Sequence, residues 1–103
     1  MRNIDHVIAG GTAGLAANRT SPIFDPNSGE IQAQVVLGGQ DALDRAVASA
    51  QAAQPAWAAT NPQRRARVMF EFKRLAEAHM DELAHLLSME HGKVIADSRG
   101  DIQ

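Results

Sequence analysis

The chain has 103 residues, a formal charge of -2 and an apolar fraction of 45%, much of it alanine, with one tryptophan, three phenylalanines and no tyrosine, so it has little material for a large core. Ten lysines and arginines stand against twelve acids, with both signs interleaved along the later half, and this leaves no electrostatic footprint for nucleic acid or an anionic membrane. There is no cysteine, which excludes a disulfide framework, a thiolate metal site and a cysteine nucleophile within these residues.

The start, Met1-Arg2-Asn3-Ile4-Asp5-His6, carries an acid early and no apolar run of the length that a signal peptide or membrane span needs, so a cytoplasmic location is the default. Residues 4–9 are short and apolar and run into Gly10-Gly11, which predicts a strand entering a turn. A second extended piece is expected at residues 21–24. Asp25-Pro26-Asn27-Ser28-Gly29 then concentrates turn chemistry, and the Val- and Ile-rich residues 30–37 resume as a strand, predicting an antiparallel pair.

Gly38-Gly39 marks a boundary. Asp41 reads as an N-cap, with Asp44 in the first turn of a helix whose apolar face is Leu43, Val47 and Ala50 and which ends near Pro55. A second helix opens with Asn61 as N-cap and Pro62 at the first helical position. Val68, Phe72 and Leu75, with Met69 and Ala76 beside them, predict a broad buried stripe. Arg64, Arg65, Arg67, Glu71, Lys73, Arg74 and Glu77 are expected on the solvated side. A third helix is predicted over residues 81–91, with Leu83, Leu86 and Leu87 inward and Gly92 as its C-terminal cap. The helical pattern restarts after Lys93, with Ile95 and Ile102 on one face, and stops in mid-pattern, which reads as the front of something larger. No repeat or low-complexity segment breaks the order, so one structural unit is expected.

Several residues invite a chemical role. Val7-Ile8-Ala9-Gly10-Gly11-Thr12-Ala13-Gly14-Leu15-Ala16-Ala17 is similar to the strand, glycine loop and helix start that cradle a dinucleotide pyrophosphate. However, Ala9 replaces the first glycine, and Asn18, Thr20 and Pro22 would cut the helix short, so a loop between short strands is the better reading. His79, His85 and His91 are six residues apart, which turns successive rings about 120° off a common helical face, whereas ligand pairs need i, i+3 or i+4. Solvated or capping histidines are expected instead. Trp57, with no second aromatic beside it, reads as a packing anchor. Lys93 follows a helix C-terminus, where a cation is favoured without any ligand. Glu90, Asp97 and Asp101 are expected at the surface, with no partner that would make a general acid and base pair.

Taken in order, five motifs resemble the amino-terminal segment of the aldehyde dehydrogenase superfamily. They are Phe24-Asp25-Pro26-Asn27-Ser28-Gly29-Glu30, Asp41-Ala42-Leu43-Asp44-Arg45-Ala46-Val47 with Ala50, Pro55-Ala56-Trp57, Arg64-Arg65-Ala66-Arg67-Val68 and Glu90-His91-Gly92-Lys93. Each is common alone; their order and spacing carry the resemblance. Within the superfamily, the helix from Val68 to Leu75 and the ending from Lys93 to Gln103 look most like the CoA-acylating methylmalonate-semialdehyde dehydrogenase branch. The glycine- and alanine-rich residues 10–17 depart from the pattern, since relatives carry a more polar turn there.

The resemblance implies an α/β fold, the amino-terminal portion of the aldehyde dehydrogenase fold, with short β-strands followed by three or four α-helices. Residues 1–39 would form a strand-rich arm or oligomerisation hairpin, and residues 40–103 helices packing on a nicotinamide-binding domain outside these residues. The implied chemistry belongs to a parent enzyme. A cysteine attacks the aldehyde, the thiohemiacetal passes hydride to NAD, and the thioester hands its acyl group to CoA, with loss of carbon dioxide from methylmalonate semialdehyde. The resemblance places the nucleophile, the assisting glutamate and asparagine, and the nicotinamide loops downstream of this segment. It therefore assigns no catalytic, cofactor-binding or metal residue here, and NAD is expected in the parent only. The expected partners are the remainder of the dehydrogenase polypeptide and further copies in a homo-oligomer, with aldehyde and CoA as the parent's small molecules. Two alternatives stay open: another aldehyde or semialdehyde dehydrogenase of the superfamily, and a stand-alone helical interaction module without catalysis.

Overall fold

The computed structural model describes residues 1–15 and 19–103. Strands come first and helices follow: β1 (Arg2–Ile4), β2 (Val7–Ile8), β3 (Gly11–Thr12), β4 (Thr20–Phe24), β5 (Ile31–Val36), α1 (Gln40–Ala59), α2 (Pro62–Ala78), α3 (Met80–His91) and α4 (Ile95–Ile102). The fold class is α/β, as expected. The chain forms two compact units where its uninterrupted order predicted one.

The first unit comprises Met1–Phe24 and Ile31–Ala59. Its sheet has the order β1-β5-β4, with β5 parallel to β1 and antiparallel to β4. The predicted antiparallel pair is therefore present, and Pro22, which has no backbone donor, lies on the edge strand β4 as a proline in a sheet requires. β5 is central, and Ala33 and Val36 on it are buried, Ala33 completely. The single strand expected over residues 4–9 is instead two strands. Asp5 breaks it by accepting hydrogen bonds from the His6 N–H (2.7 Å) and the Gly14 N–H (2.8 Å), which turns the chain out of the first ladder. β2 and β3 then make a hairpin through Ala9 and Gly10, both at positive φ (56° and 80°), the backbone of a two-residue type I′ turn.

α1 starts two residues earlier than an N-cap at Asp41 implies. Gly39 precedes it, and its carbonyl accepts from the Leu43 N–H, so Asp41 lies inside the first turn and is not the N-cap. The helix also runs through Pro55 to Ala59. Alanine has the highest helix propensity, and the alanines on both sides of Pro55 carry the helix through the hydrogen bond that proline cannot donate. The buried face is Ala42, with Ser49 half-buried, whereas Leu43, Val47 and Ala50 are exposed. Arg45 reaches back to donate to the Ala13 carbonyl at 2.7 Å.

The second unit comprises Asp25–Glu30 and Thr60–Gln103. The turn closes as its composition requires. The Asp25 N–H donates to the Glu30 carbonyl (2.7 Å), the Asn27 N–H to the Asp25 carboxylate (2.8 Å), and Gly29 takes positive φ. α2 opens as predicted, with the Asn61 side chain accepting from the Gln63 N–H at 2.8 Å and Pro62 at the first position. The expected buried stripe is not covered: Val68, Met69, Phe72 and Leu75 are exposed, Phe72 by 69%, and Ala76 alone of the five is half-buried. Arg65, expected in solvent, is half-buried. Helical periodicity identifies which residues share a face but not what lies against that face.

α3 likewise turns Ala84 inward, at 0% exposure, with Leu87 and Ser88 half-buried, while Leu83 and Leu86 point out. Gly92 caps α3 in the left-handed region (φ 87°), and its N–H donates to the Ser88 carbonyl. A fourth helix follows, with Ile95 exposed and Ile102 half-buried. α3 and α4 are held by a hydroxyl pair, half-buried Ser88 and buried Ser98 at 2.8 Å, and by an Asp81–Arg99 ion pair between exposed side chains. The largest fully buried side chain among the described residues is Ser98.

Candidate functional site

The described residues of the first unit enclose one small cleft in which polar groups converge. It has about 170 Å³ and is lined by His6, Arg19, Gly38, Gly39, Asp41 and Ala42, among others. The strand break at Asp5 sends His6 into it, and Gly38 makes the space. A Cβ at position 38 would stand 2.9 Å from His6 Nε2 and 3.1 Å from its Cε1. His6 Nε2 is buried and has no hydrogen-bond partner among the described residues. The Asp5 carboxylate beside it is engaged by the backbone donors of His6 and Gly14. The cleft thus brings an imidazole, a guanidinium and a carboxylate to one place, but no side chain in it is a nucleophile for carbonyl chemistry. Neither His6 nor Gly38 was singled out from the sequence; Gly38-Gly39 read only as a boundary, because a glycine that makes room for a ring looks the same as one that turns the chain.

The other candidates are scattered. Gly10 and Gly11 close the β2–β3 hairpin, with nothing within 4 Å of a Cβ at either position, and no helix begins at Thr12 to Leu15; the Ala16-Ala17 end of the motif lies outside the described residues. His79 Nδ1 lies 3.1 Å from Glu82 Oε2 at the start of α3, and His85 and His91 are exposed. Among the described residues no three metal-ligating side chains cluster. Trp57, expected as a packing anchor, is 44% exposed. Lys93, half-buried between α3 and α4, pairs with Asp101 of α4, which is exposed as expected. Asp97 is exposed, as is Glu90.

Electrostatic perturbation is modest and local. The Asn27 N–H beside Asp25 holds its carboxyl below the ordinary value, helped by Ser28. Arg74 does the same to Glu71 through two hydrogen bonds of 2.6 and 2.9 Å, and the guanidinium is raised in turn. Both are surface arrangements in a turn and along a helix, and neither lies in the His6 cleft. No described helix is long and apolar enough to cross a membrane.

Residues 15–103 match the model of the aldehyde dehydrogenase family. Malonate-semialdehyde dehydrogenase 3 of Geobacillus kaustophilus is 34% identical over 102 residues, which is 99% of this chain and 21% of that protein. Among solved structures, the methylmalonate-semialdehyde dehydrogenase of Oceanimonas doudoroffii superposes with a TM-score of 0.96 at 41% identity, covering 100% of this chain and 21% of that one. A Sinorhizobium meliloti 1021 protein assigned as a methylmalonate-semialdehyde dehydrogenase and complexed with NAD has a TM-score of 0.94 at 50% identity, covering 98% and 21%. The chain spans about a fifth of the length of the relatives it matches, at their amino-terminal end.

Proposed function

Because the chain belongs to the aldehyde dehydrogenase family, we propose that it serves as the amino-terminal part of an NAD-dependent, CoA-acylating methylmalonate-semialdehyde dehydrogenase. The observation that supports this reading most is the 50% identity, over nearly the whole chain, to a solved protein assigned as a methylmalonate-semialdehyde dehydrogenase and complexed with NAD. In the proposed reaction, semialdehyde, CoA and NAD give acyl-CoA, carbon dioxide and NADH in the cytoplasm.

These residues contribute position, not chemistry. NAD does not fit the described glycines, since Gly10 and Gly11 are committed to a hairpin and no helix N-terminus follows them at Thr12 to Leu15. The chain has no cysteine to open the reaction. In this reading, residues 1–39 form an arm used in a homo-oligomer, residues 40–103 bring helices to a nicotinamide-binding domain, and the remainder of the dehydrogenase polypeptide is the partner.

A chimera tests the proposal: this chain replaces the matching fifth of the Oceanimonas doudoroffii enzyme. Formation of acyl-CoA with methylmalonate semialdehyde, dependent on both NAD and CoA, is the expected result. A soluble, folded chimera that oxidises other aldehydes to acids and ignores CoA would overturn the acylating assignment. The 103-residue chain alone should show no NAD binding by calorimetry, and micromolar binding would return a cofactor role to these residues.

A further inference from the structure

We propose that the His6 cleft is a binding site for a single phosphate-class oxyanion, seated on the amino terminus of α1 and held by His6 and Arg19. The site is independent of the function proposed above, which asks only position of these residues.

Four features of the cleft point to an anion. The first is the start of α1, a helix of 20 residues that follows Gly39 directly. Glycine has no side chain with which to cap, and nothing among the described residues accepts from the backbone N–H groups of Gln40, Asp41 and Ala42. Open donors and the positive end of the helix dipole therefore meet where Gly39, Asp41 and Ala42 line the cleft. The second is His6 Nε2, buried without a partner in a ring that lines the same space. A buried ring nitrogen in that state costs free energy, and an oxyanion supplies the acceptor that its N–H lacks. The third is Arg19, whose exposed guanidinium has no acceptor among the described residues and offers a planar fork of donors suited to phosphate. The fourth is room. Gly38 keeps the space open, since a Cβ there would stand 2.9 Å from His6 Nε2 and 3.1 Å from Ala42 Cβ. These groups come from the strand break after β1, the residue before β4 and the junction of β5 with α1, so folding brings them together and sequence proximity does not.

Size and shape narrow the occupant. About 170 Å³ takes a tetrahedral oxyanion with a few waters, a water's share being about 30 Å³, and lies below the roughly 300 to 1,000 Å³ of pockets that enclose whole ligands. A larger molecule would enter only by a terminal phosphate monoester, and NAD has none. Donors arrive from a helix end, an imidazole and a guanidinium, which suits the tetrahedral spread of phosphate oxygens better than the two coplanar oxygens of a carboxylate. Asp41 also lines the cleft, and its carboxylate opposes the anion. The Asp5 carboxylate is already engaged by the His6 and Gly14 N–H groups.

Titrating the isotope-labelled 103-residue chain with inorganic phosphate, followed by NMR, tests the site. The expected result is a saturable shift of the Gln40, Asp41 and Ala42 amides and of the His6 ring, with one phosphate bound per chain. Chloride at matched ionic strength should not reproduce it, and the melting temperature should rise with phosphate. Arg19→Gln and His6→Phe should each weaken binding at least about 10-fold, the loss of one hydrogen bond to a charged group. Asp41→Asn should tighten it. Arg64→Gln, which removes the same charge from α2, should leave it unchanged, and circular dichroism of each variant should show the fold retained. CoA and dephospho-CoA separate the sources: shifts with CoA that dephospho-CoA does not give identify a monoester carried on a larger molecule, and shifts with inorganic phosphate alone identify the free anion. Shifts that never saturate, that acetate produces equally, or that survive undiminished in folded Arg19→Gln and His6→Phe would overturn the site.

Discussion

Gly92 is a position where one added carbon should be costly to this fold on two counts. It sits at φ 87°, and a Cβ there would stand 3.1 Å from Pro26 Cβ and 3.2 Å from Pro26 Cγ. Gly92→Ala therefore incurs two separate penalties. The left-handed backbone costs a residue with a β-carbon about 1 to 2 kcal/mol. Crowding against a proline ring, which cannot rotate away, adds about 1 kcal/mol, the low end for an inserted carbon in a packed contact. The sum, about 2 to 3 kcal/mol, is a large share of a small fold's margin of about 5 to 15. Urea unfolding followed by far-ultraviolet circular dichroism should show it as a lower midpoint at unchanged slope. A cycle with Pro26→Gly separates the parts: in that background the crowding disappears, and Gly92→Ala should cost only the backbone share. A loss below about 0.5 kcal/mol, the level of a neutral surface change, would refute the argument for the cap. An identical loss in both backgrounds would refute the contact with Pro26.

Phe72→Ala in the chain alone should change stability by no more than about 0.5 kcal/mol, because the ring is 69% exposed, whereas the same change in the covered chimera should cost about 3 to 5. Equal effects in the two settings, measured by denaturation, would show that nothing covers the ring. Ser98→Ala leaves the half-buried Ser88 hydroxyl without this partner and should cost about 1 to 2 kcal/mol, part of which Ser88→Ala in the same chain restores; a neutral Ser98→Ala would show that solvent satisfies Ser88. Asp25 has a folded-state value below its unfolded one, so its hold on the turn is present above the unfolded value and fades as pH falls through the folded one. The Asn27 amide resonance should therefore titrate at a lower pH than in a short peptide of the same turn, and coincident midpoints would contradict the hydrogen bond.

What could be read from the sequence was whatever a few neighbouring residues decide among themselves. Asn61-Pro62, Gly92 and the Asp25-to-Gly29 turn were placed correctly because capping and turn geometry are local. Asp41 misled because Gly39 takes the position before the helix, and Pro55 because alanines on both sides sustain the helix around it. The helix faces failed for a different reason. Val68, Phe72 and Leu75 do share a face, but periodicity cannot tell a face covered within these residues from one that is not. Among the described residues the interior is instead built at Ala13, Ala33, Val36, Ala42, Ala84 and Ser98, all but Val36 too small to register as an apolar stripe. The motifs that carried the family resemblance mark a turn, a cap, helix starts and, at Pro55-Ala56-Trp57, a stretch inside α1, so they identified the relatives without identifying a site.

An interior of methyl and hydroxyl groups also sets how the chain responds to heat. The heat-capacity change of unfolding scales with the apolar surface newly hydrated, and side chains such as Val68 and Phe72 are largely hydrated already. Melting should therefore absorb little heat for the chain's length, and the stability curve should be shallow, falling away gently on both warming and cooling. The steep, strongly curved melting of a domain with leucines and phenylalanines packed inside it should emerge only after the face of α2 has been taken out of water.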